Sequence, residues 1–318
     1  MKSILVYIDK NKNDEITQNS LEAIVAAKQI VDNLSGKISC IVRNGNAEIF
    51  SKLALFEDLK VFNLNHSEEI SARHIANYLS DFILDKMFDI VIFPASVHSN
   101  EIAPIVAVKC GAAFISNAMD FNFTENQDIL YNQYLYSGKF KTQVRVKTKT
   151  QVMTIAPNRF VVPKDTVENE YVLEQIQMPE VDDDTYKFIE ITSAGNVKSL
   201  TDARVIVSVG RGVSSAENIA KIEKFATKIS AALGASRAVV DNGWLSHPYQ
   251  VGQTGKTVTP NVYIACGISG AMQHLAGMSR SKFIIAINID EKAPIFDVAD
   301  VSVVGDLFSV IEKLEKYL

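Results

Sequence analysis

Apolar and polar positions along the first third of the chain alternate in blocks that predict strands and helices in turn. Short continuous apolar runs, which predict buried strands, lie at 4–8, 38–42, 61–64 and 90–93. Segments with apolar residues near helical spacing lie at 21–34, 53–59, 72–87 and 102–110. Ser20 is the predicted N-cap of the first helix. Strands that alternate with helices are typical of a parallel sheet covered on both faces, so we predict an α/β fold.

The pattern changes after Gly111. Short strands are predicted at 131–136, 143–147 and 151–155, with turn residues at Ser137-Gly138 and Thr148-Lys149. We predict that they form an antiparallel appendage that closes the first domain. The stretch 163–200 is rich in charge, includes Asp182–184, and has one predicted strand at 188–191. This stretch is interpreted as a connection between domains.

A second block of alternating elements follows the connection. Its predicted strands lie at 203–209, 235–241, 262–266, 283–288 and 301–304, and its predicted helices at 217–233, 271–276 and 307–318. Ser214 and Glu217 fit a capping box at the start of the first of these helices. A chain of 318 residues suits two domains, and we place them at 1–195 and 196–318.

Composition and charge exclude several classes of protein. Apolar residues make up 47% and charged residues 22%, which is typical of a globular protein. The net charge of −5 argues against a nucleic-acid surface, which needs a basic face. No apolar run approaches the roughly 20 residues that span a bilayer, and we expect the first run to be a strand rather than a signal peptide. Cys40, Cys110 and Cys266 are widely spaced, so we expect reduced core thiols, and the five histidines show no metal-ligand spacing.

Small and polar residues accompany each predicted strand of the second block. They are Gly210-Arg211-Gly212, Ser236-Arg237, 267–270, Asn288 and Gly305-Asp306. In an open parallel sheet such residues converge on the edge where ligands bind. Glycines there allow close approach to a phosphate, and the helix start at 267–271 offers free amides, with Arg211 as a cation.

The stretch 236–277 contains a long polar loop between two apolar runs. It is rich in amides, hydroxyls and glycines, and we expect it to form no apolar core of its own. Loops of this length in compact domains are usually functional or disordered, and this composition favours a bound polar ligand.

Each of these residues also has a purely structural interpretation. Arg211 and Arg237 could be surface ion-pair residues, His274 a structural histidine of its helix, and Gly255 and Gly270 ordinary turn residues. The concentration of polar and glycine chemistry on one predicted edge favours the ligand site.

Several sequence blocks in order resemble a known family. They are QVGQTGK at 250–256, GISGAMQHLAGM at 267–278 and AINIDEKAPIFDVADVSVVGDLF at 286–308, together with GRG at 210–212 and GASRAVVD at 234–241. These blocks resemble the electron transfer flavoprotein alpha subunit. The first domain resembles the family more loosely, through VRVKTKTQVMTI at 144–155. The chain departs from the family at Val209, where a second glycine often precedes GRG, and at Ser215-Ala216.

The resemblance implies a heterodimer of alpha and beta subunits. It implies that 196–318 is a doubly wound domain that holds FAD and that 1–195 forms much of the partner interface. In this family the beta subunit often holds AMP or, in bifurcating members, a second FAD. The FAD contacts implied by position are Arg211, Ser236, Arg237, Gln250, Val251, Gly252, Gln253, Thr254, Ser269, Gly270, Ala271, Met272, Gln273, His274, Asn288, Asp306 and Leu307.

The resemblance also implies a role for individual residues. Arg237 would lie against the flavin ring, Thr254 near its N5 edge and His274 by its pyrimidine carbonyl. Ser269 and its neighbouring amides would meet the pyrophosphate, and Asn288 and Asp306 the adenosine end. Positive charge from Arg237, and His274 as donor or cation, would stabilise the negative charge of the reduced ring.

The function that follows from the resemblance is electron transfer without a catalytic residue, rather than an enzyme with its own substrate. Electrons would come from flavin dehydrogenases such as the acyl-CoA dehydrogenases of fatty acid β-oxidation and pass to a quinone-linked oxidoreductase or another acceptor. The alternatives are a bifurcating complex that uses NADH, an NAD-dependent enzyme of related fold, and a nucleotide-binding regulator. We expect the cytoplasm in a bacterium or the mitochondrial matrix in a eukaryote, with no nucleic-acid partner and no membrane insertion.

Overall fold

The computed structural model describes residues 1–11, 13–66, 70–136, 140–163, 169–179, 189, 200–201 and 203–317. The chain divides into two compact units, Met1–Gln133 with Lys141–Ile191 and Tyr134–Phe140 with Thr192–Leu318. The predicted turn at Ser137-Gly138, the acidic run at 182–184 and the predicted domain division at 195/196 lie outside the described residues. The predicted strand at 188–191 lies outside them except for Ile189.

A parallel sheet of seven strands forms the centre of the first unit. The strands of this part of the chain are β1 (Lys2–Ile8), β2 (Gly36–Arg43), β3 (Lys60–Asn65), β4 (Ile90–Pro94), β5 (Ala113–Ala118), β6 (Asp120–Phe123), β7 (Ile129–Leu135), β8 (Phe140–Arg145), β9 (Gln151–Ile155) and β10 (Val172–Gln177). The large sheet has the order β10-β3-β2-β1-β4-β9-β5, and β6, β7 and β8 form a small separate sheet in which β6 and β7 are antiparallel.

Helices cover both faces of the seven-stranded sheet. They are α1 (Gln18–Leu34), α2 (Ala47–Leu53), α3 (Ala72–Lys86) and α4 (Val97–Lys109). Side chains of β1 alternate between the faces: Ile4 and Val6 pack in the core with α1, and Leu5 packs in the core with α3 and α4. The predicted parallel sheet with helices on both faces is confirmed.

Several predicted elements of the first unit were wrong. The run 151–155 is β9, an inner strand that pairs in parallel with β4 on one side and with β5 on the other. It is not part of an antiparallel appendage. The second helix occupies Ala47–Leu53, after the N-cap Asn46, rather than 53–59. Strand β10 was not predicted, because it is an edge strand with exposed apolar residues and no continuous apolar run.

Two helix starts also differ from the prediction. Helix α1 is capped by Thr17, while the Ser20 hydroxyl exchanges hydrogen bonds with the backbone of Asp9. Helix α4 begins at Val97 after the N-cap Ser96, five residues before the predicted start, because its first turn is polar and gave no apolar pattern.

The second unit is built on a parallel sheet of five strands. Its strands are β11 (Val205–Val209), β12 (Ala232–Ala235), β13 (Val262–Cys266), β14 (Ile284–Asn288) and β15 (Val301–Val304), and its helices are α5 (Ala216–Lys228), α6 (Arg237–Asp241), α7 (Met272–Met278) and α8 (Leu307–Glu315). Short 3-10 turns lie at Arg211–Val213, His247–Tyr249 and Pro294–Val298. The strand order is β12-β11-β13-β14-β15, all parallel.

The two faces of this sheet are covered differently. Val207 and Val209 pack with α5 and α8, whereas Ile206 packs with the segment 251–258 and with α7. The predicted strand at 235–241 was wrong, because β12 ends at Ala235 and α6 begins at Arg237. The predicted helix at 217–233 ends at Lys228, and its N-cap is Ser215 rather than Ser214.

The described part of the chain has neither a membrane-spanning helix nor a metal-binding group of side chains. No helix there is both long and apolar enough to cross a bilayer. No three His, Cys, Asp or Glu side chains there are grouped so that they could hold a metal ion. Cys40, Cys110 and Cys266 are free thiols, and burial raises the pKa of Cys266 to about 12, so this thiol is unreactive at neutral pH.

Candidate cofactor site

A cavity of about 580 Å³ lies at the carboxyl edge of the five-stranded sheet. Its lining comes from the segments that follow β12, β11, β13 and β14. Strand β11 precedes β12 and β13 in the chain but lies between them in the sheet, so the connections on its two sides run in opposite directions. Open parallel sheets bind ligands in the crevice that this reversal creates.

Most of the residues predicted to contact the cofactor line this cavity. They are Arg211, Ser236, Arg237, Gln250, Val251, Gly252, Gln253, Thr254, Ser269, Ala271, Gln273, His274 and Asn288. The remaining four, which do not line it, are Gly270, Met272, Asp306 and Leu307. The fold thus brings together segments that are up to about 80 residues apart in the chain, as measured from Arg211 to Asn288.

The four residues outside the lining have structural surroundings of their own. Gly270 packs against the backbone of Ile295, where a Cβ would collide. Met272 is 68% exposed at the start of α7. Leu307 is buried in the core shared by α5 and α8.

Asp306 is the N-cap of α8. Its carboxylate accepts hydrogen bonds of 2.8 Å from the backbone amide and from the hydroxyl of Ser309. These bonds lower the pKa of Asp306. The carboxylate is therefore engaged with its own helix and is not part of the cavity wall.

The segment 250–258 is fixed in place by backbone hydrogen bonds. These run from Val251 N to Ala235 O at 2.8 Å, from Gln253 N to Gln273 O at 2.7 Å and from Val258 N to Gly277 O at 2.7 Å. The side chains of Val251 and Val258 are 1% and 0% exposed and belong to the core. These two valines of the long polar loop therefore pack into the core of the second unit.

Two glycines allow this segment to lie directly on helix α7. A Cβ at Gly277 would collide with the backbone of Gly252. Gly252 itself has φ +143°, a conformation that other residues rarely adopt. The cavity wall at 250–254 and the helix behind it therefore touch backbone to backbone.

The glycines at 210–212 and 267 also serve loop packing. A Cβ at Gly212 would lie 2.8 Å from the Cα of Gly267, which has φ +64°. The amide of Gly212 donates to the carbonyl of Gly267 at 3.0 Å. In the structure these glycines let the loops after β11 and β13 pack together, and Gly212 and Gly267 also line the cavity. The close approach of a phosphate to them stays a prediction.

Two cations and one carboxylate are the charged residues among those that line the cavity: Arg211, Arg237 and Asp290. The guanidinium of Arg237 also pairs with Asp241 at 3.3 Å, with side chains that are 67% and 61% exposed. Such an exposed pair contributes little to stability. Arg237 is thus both a surface ion-pair residue and a cavity residue, and it can turn toward an anionic ligand at little cost.

Amide side chains shape the cavity wall. The Nε2 of Gln250, which is 4% exposed, donates to Oγ1 of Thr254 at 2.9 Å, so the Thr254 hydroxyl keeps its own proton for a further acceptor. Asn288 donates to the carbonyl of Ile268 at 2.9 Å and accepts from the amide of Asp290 at 3.0 Å. Asn288 therefore ties the loop after β13 to the loop after β14.

His274 lies in α7 and is 6% exposed. Its Nε2 lies 3.0 Å from the phenol oxygen of Tyr263, and its buried Nδ1 makes no hydrogen bond of standard geometry among the described residues. Burial lowers the pKa of His274 to about 4, an effect that the Val251 backbone opposes in part. At neutral pH the imidazole is therefore uncharged, which favours a donor role over a cation role.

The loop after β14 contributes lining residues that the sequence did not predict. They are Ile289, Asp290, Ala293 and Pro294, and Ala238 after β12 was not predicted either. Gly212, Gly267 and Ile268, which the sequence placed at the ligand-binding edge, do line the cavity. The position of the unpredicted residues shortly after predicted strands could have identified them, as it identified Asn288. Their wall is positioned by the backbone bond from Ile295 N to Ser269 O at 3.0 Å.

Comparison with known proteins gives consistent matches along the chain. A family model described as the electron transfer flavoprotein FAD-binding domain matches residues 199–279, and one described as the electron transfer flavoprotein domain matches residues 4–181. The electron transfer flavoprotein subunit alpha of Bacillus subtilis is 38% identical over 313 residues, which cover 98% of this chain and 95% of that protein.

Two further bacterial proteins with the same description match over nearly their full length. The one from Pseudomonas aeruginosa is 34% identical over 323 residues, which cover 99% of each chain. The one from Thermoanaerobacterium thermosaccharolyticum is 31% identical over 324 residues, which cover 98% of this chain and 96% of that protein. The match to the FAD-binding model includes the segments after β11, β12 and β13 that line the cavity.

Proposed function

This chain belongs to the electron transfer flavoprotein family as an alpha subunit, and on that premise we propose that the cavity at the carboxyl edge of its five-stranded sheet holds the flavin cofactor. The chain is an electron carrier, and its cofactor is FAD. Membership of the family implies a heterodimer with a beta subunit. The NAD-dependent enzyme considered from the sequence is not favoured by these matches.

The chemistry of the cavity suits FAD. A dinucleotide needs cations for its pyrophosphate and an apolar surface for its ring. Arg211 and Arg237 provide the cations, and Val251, Ile268 and Ala293 provide apolar wall. The volume of about 580 Å³ falls within the usual range for ligand sites.

The residues of this chain would bind and orient the cofactor. Arg237 would lie against the ring, Thr254 would donate its hydroxyl proton near N5, and His274 would donate to the pyrimidine carbonyl. When bound, FAD supplies reversible uptake of electrons, and a cation beside the ring stabilises its reduced form. The observation that carries the proposal is that separate segments bring these three side chains to one cavity.

The electron donors of this chain would be flavin dehydrogenases, with acyl-CoA dehydrogenases of fatty acid β-oxidation as the first choice, and the acceptor a quinone-linked oxidoreductase. The first unit would form much of the interface with the beta subunit. The three free thiols and the bacterial relatives support a cytoplasmic location. A bifurcating complex that uses NADH is not favoured over simple electron transfer.

The cofactor site can be tested by FAD titration of the heterodimer after its flavin is removed. His274→Ala should weaken FAD binding by roughly tenfold, because it removes a donor inside a buried site. His98→Ala, in the first unit, is the matched control and should leave the affinity unchanged. Equal affinities for His274→Ala and the unsubstituted heterodimer would contradict the proposed site.

The electron donor can be tested by following flavin absorbance of the heterodimer. An acyl-CoA dehydrogenase with its substrate should bleach the oxidised flavin band, and NADH alone should not. Bleaching by NADH without a dehydrogenase would overturn the simple carrier in favour of a bifurcating complex.

A further inference from the structure

A buried phenol lies behind the histidine of the cavity. Tyr263 is in β13 and is 0% exposed, and His274 is in α7 and is 6% exposed. The phenol oxygen and Nε2 are 3.0 Å apart, and the ring centroids are 6.2 Å apart at an interplanar angle of 58°. Tyr263 does not line the cavity, whereas His274 does. Any influence of Tyr263 on a ligand must therefore pass through His274.

Both groups are uncharged in the neutral range. Burial raises the pKa of Tyr263, so the phenol keeps its proton. Burial lowers the pKa of His274 to about 4, so the ring carries one N–H. A neutral imidazole with a hydrogen bond to one nitrogen has its tautomer determined by that bond.

The surroundings indicate the direction of the bond. The Ser208 hydroxyl makes no hydrogen bond of standard geometry among the described residues. Its interaction with the phenol nevertheless lowers the pKa of Tyr263, which is the effect of a donor to the phenol oxygen. The Val251 backbone favours the protonated form of His274, as an acceptor near a ring N–H does. Both effects agree with a phenol that donates to Nε2 and with a proton on Nδ1.

We propose that Tyr263 is a positioning residue that donates its hydroxyl proton to Nε2 and holds His274 in the Nδ1–H tautomer. The proton on Nδ1 then lies beside the Val251 backbone, which favours the protonated form of His274. Both ring nitrogens are engaged, so the imidazole that lines the cavity is neutral and held in one orientation. This inference deepens the proposed function, because it rests on His274 as a contact of the cofactor.

The first unit contains a matched control for this pair. Tyr7 is buried, and its phenol oxygen lies 3.4 Å from Nε2 of His98, with ring centroids 6.3 Å apart at 42°. Neither residue lines the cavity of the second unit. Tyr7→Phe therefore removes the same hydroxyl from a similar tyrosine–histidine pair.

The tautomer can be measured directly in the unsubstituted heterodimer after flavin removal. Long-range proton–nitrogen NMR correlations distinguish a protonated from an unprotonated ring nitrogen, and the spectrum of His274→Ala assigns the signal. We expect a protonated Nδ1 and an unprotonated Nε2 for His274. A protonated Nε2 would overturn the proposal, and this measurement requires no variant at Tyr263.

The functional consequence can be measured with Tyr263→Phe. Without the phenol, Nε2 loses its donor and the Nε2–H tautomer should gain population, so the FAD dissociation constant should rise several-fold, toward the roughly tenfold weakening expected for His274→Ala. Tyr7→Phe should leave it unchanged. A dissociation constant for Tyr263→Phe equal to that of the unsubstituted heterodimer would overturn the proposal.

A double-variant cycle separates positioning from general damage to the fold. If Tyr263 acts through His274, Tyr263→Phe should add no further weakening of FAD binding in the His274→Ala background. An equal further weakening in that background would show that Tyr263 is structural and not a positioning residue. If His274→Ala itself left FAD binding unchanged, the cofactor contact rather than the tyrosine would be the part that fails.

Discussion

In both sheets of this protein the strand order reverses beside the first strand of the unit, but the polar groups at the two reversal points are used differently. In the first unit, the buried carboxylate of Asp9 follows β1 and accepts hydrogen bonds from the hydroxyls of Ser96 and Ser99, at the start of α4. In the second unit, the residues at the corresponding edge line an open cavity of about 580 Å³, and Arg211 and Arg237 are part of its wall.

This difference shows that the fold supplies a crevice and that the side chains decide its use. A helix start at such a crevice favours an anion, and in the first unit the chain provides that anion itself as Asp9. In the second unit the donors at the equivalent edge remain for a ligand. Buried polar groups that satisfy one another hold a structure together, whereas cations that line an open cavity can bind an anionic ligand.

The largest effect that would sharpen this contrast is a dependence of the stability of the second unit on pH. The folded-state pKa of His274, about 4, lies below the unfolded value of about 6.5. The unfolded chain therefore binds more protons between these values, and stability should fall by about 3 kcal/mol as the pH drops from about 6.5 to 4. Above about pH 6.5 this contribution should be constant.

This loss can be followed with urea unfolding monitored by Trp244, the only tryptophan of the chain, which packs in the second unit. His274→Gln should remove most of the pH dependence in this range. If the unsubstituted chain and His274→Gln lost equal stability on acidification, His274 would not be the buried neutral base described above.

The second effect concerns the backbone contact that fixes the cavity wall. In Gly277→Ala the new Cβ would displace the backbone of Gly252, and we expect a loss of about 2 kcal/mol and weaker FAD binding. Gly305→Ala is the matched control, because nothing lies within 4 Å of a Cβ there. Chemical denaturation that gave the same unfolding free energy for both variants would contradict the close contact.

The third effect tests the first unit. Burial raises the pKa of Asp9, so the native state binds the extra proton and stability falls as the pH rises from the ordinary Asp value through the raised one. Asp9→Asn should remove this cost, so the variant should be more stable than the native chain toward neutral pH. Circular dichroism should show the gain while FAD affinity stays unchanged. A variant less stable than the native chain at pH 7 would show that the charge is needed there.

The smallest effect on stability is expected at Arg237. Its ion pair with Asp241 is exposed, so Arg237→Ala should change the unfolding free energy by less than about 0.5 kcal/mol. The flavin midpoint potential should nevertheless fall, because a positive charge beside the ring is lost. Arg204→Ala, at an exposed residue outside the cavity lining, is the charge-matched control for a spectroelectrochemical titration. If both variants had the same flavin midpoint potential, Arg237 would not lie beside the flavin ring.

The sequence predicted the sheet class well but not the partners of individual strands. The run 151–155 has three apolar residues among its five, and nothing within it shows that it inserts beside β4. The run 232–241 is mostly apolar, with Ser236, Arg237 and Asp241 as exceptions, and Ser236 divides it into a strand and a helix. Periodicity cannot distinguish a buried strand from a buried helix in segments this short.

The ends of the predicted strands and the family resemblance together predicted many of the residues of the candidate site. Arg211 and Thr254 lie on the cavity as the resemblance implied. The wall after β14 and the packing of Gly212 on Gly267 could not be predicted, because they depend on the distance between loops far apart in the chain. The hydrogen bond between Tyr263 and His274 joins a strand to a helix eleven residues later and has no pattern of its own.

The anchoring of 250–258 at Ala235, Gln273 and Gly277 has a consequence for affinity. The backbone freedom of this segment is lost when the chain folds and not when FAD arrives. Association with a prepared surface avoids the entropy of ordering a loop, which otherwise opposes binding. Reassociation with added FAD should accordingly be fast and need no slow rearrangement of this segment.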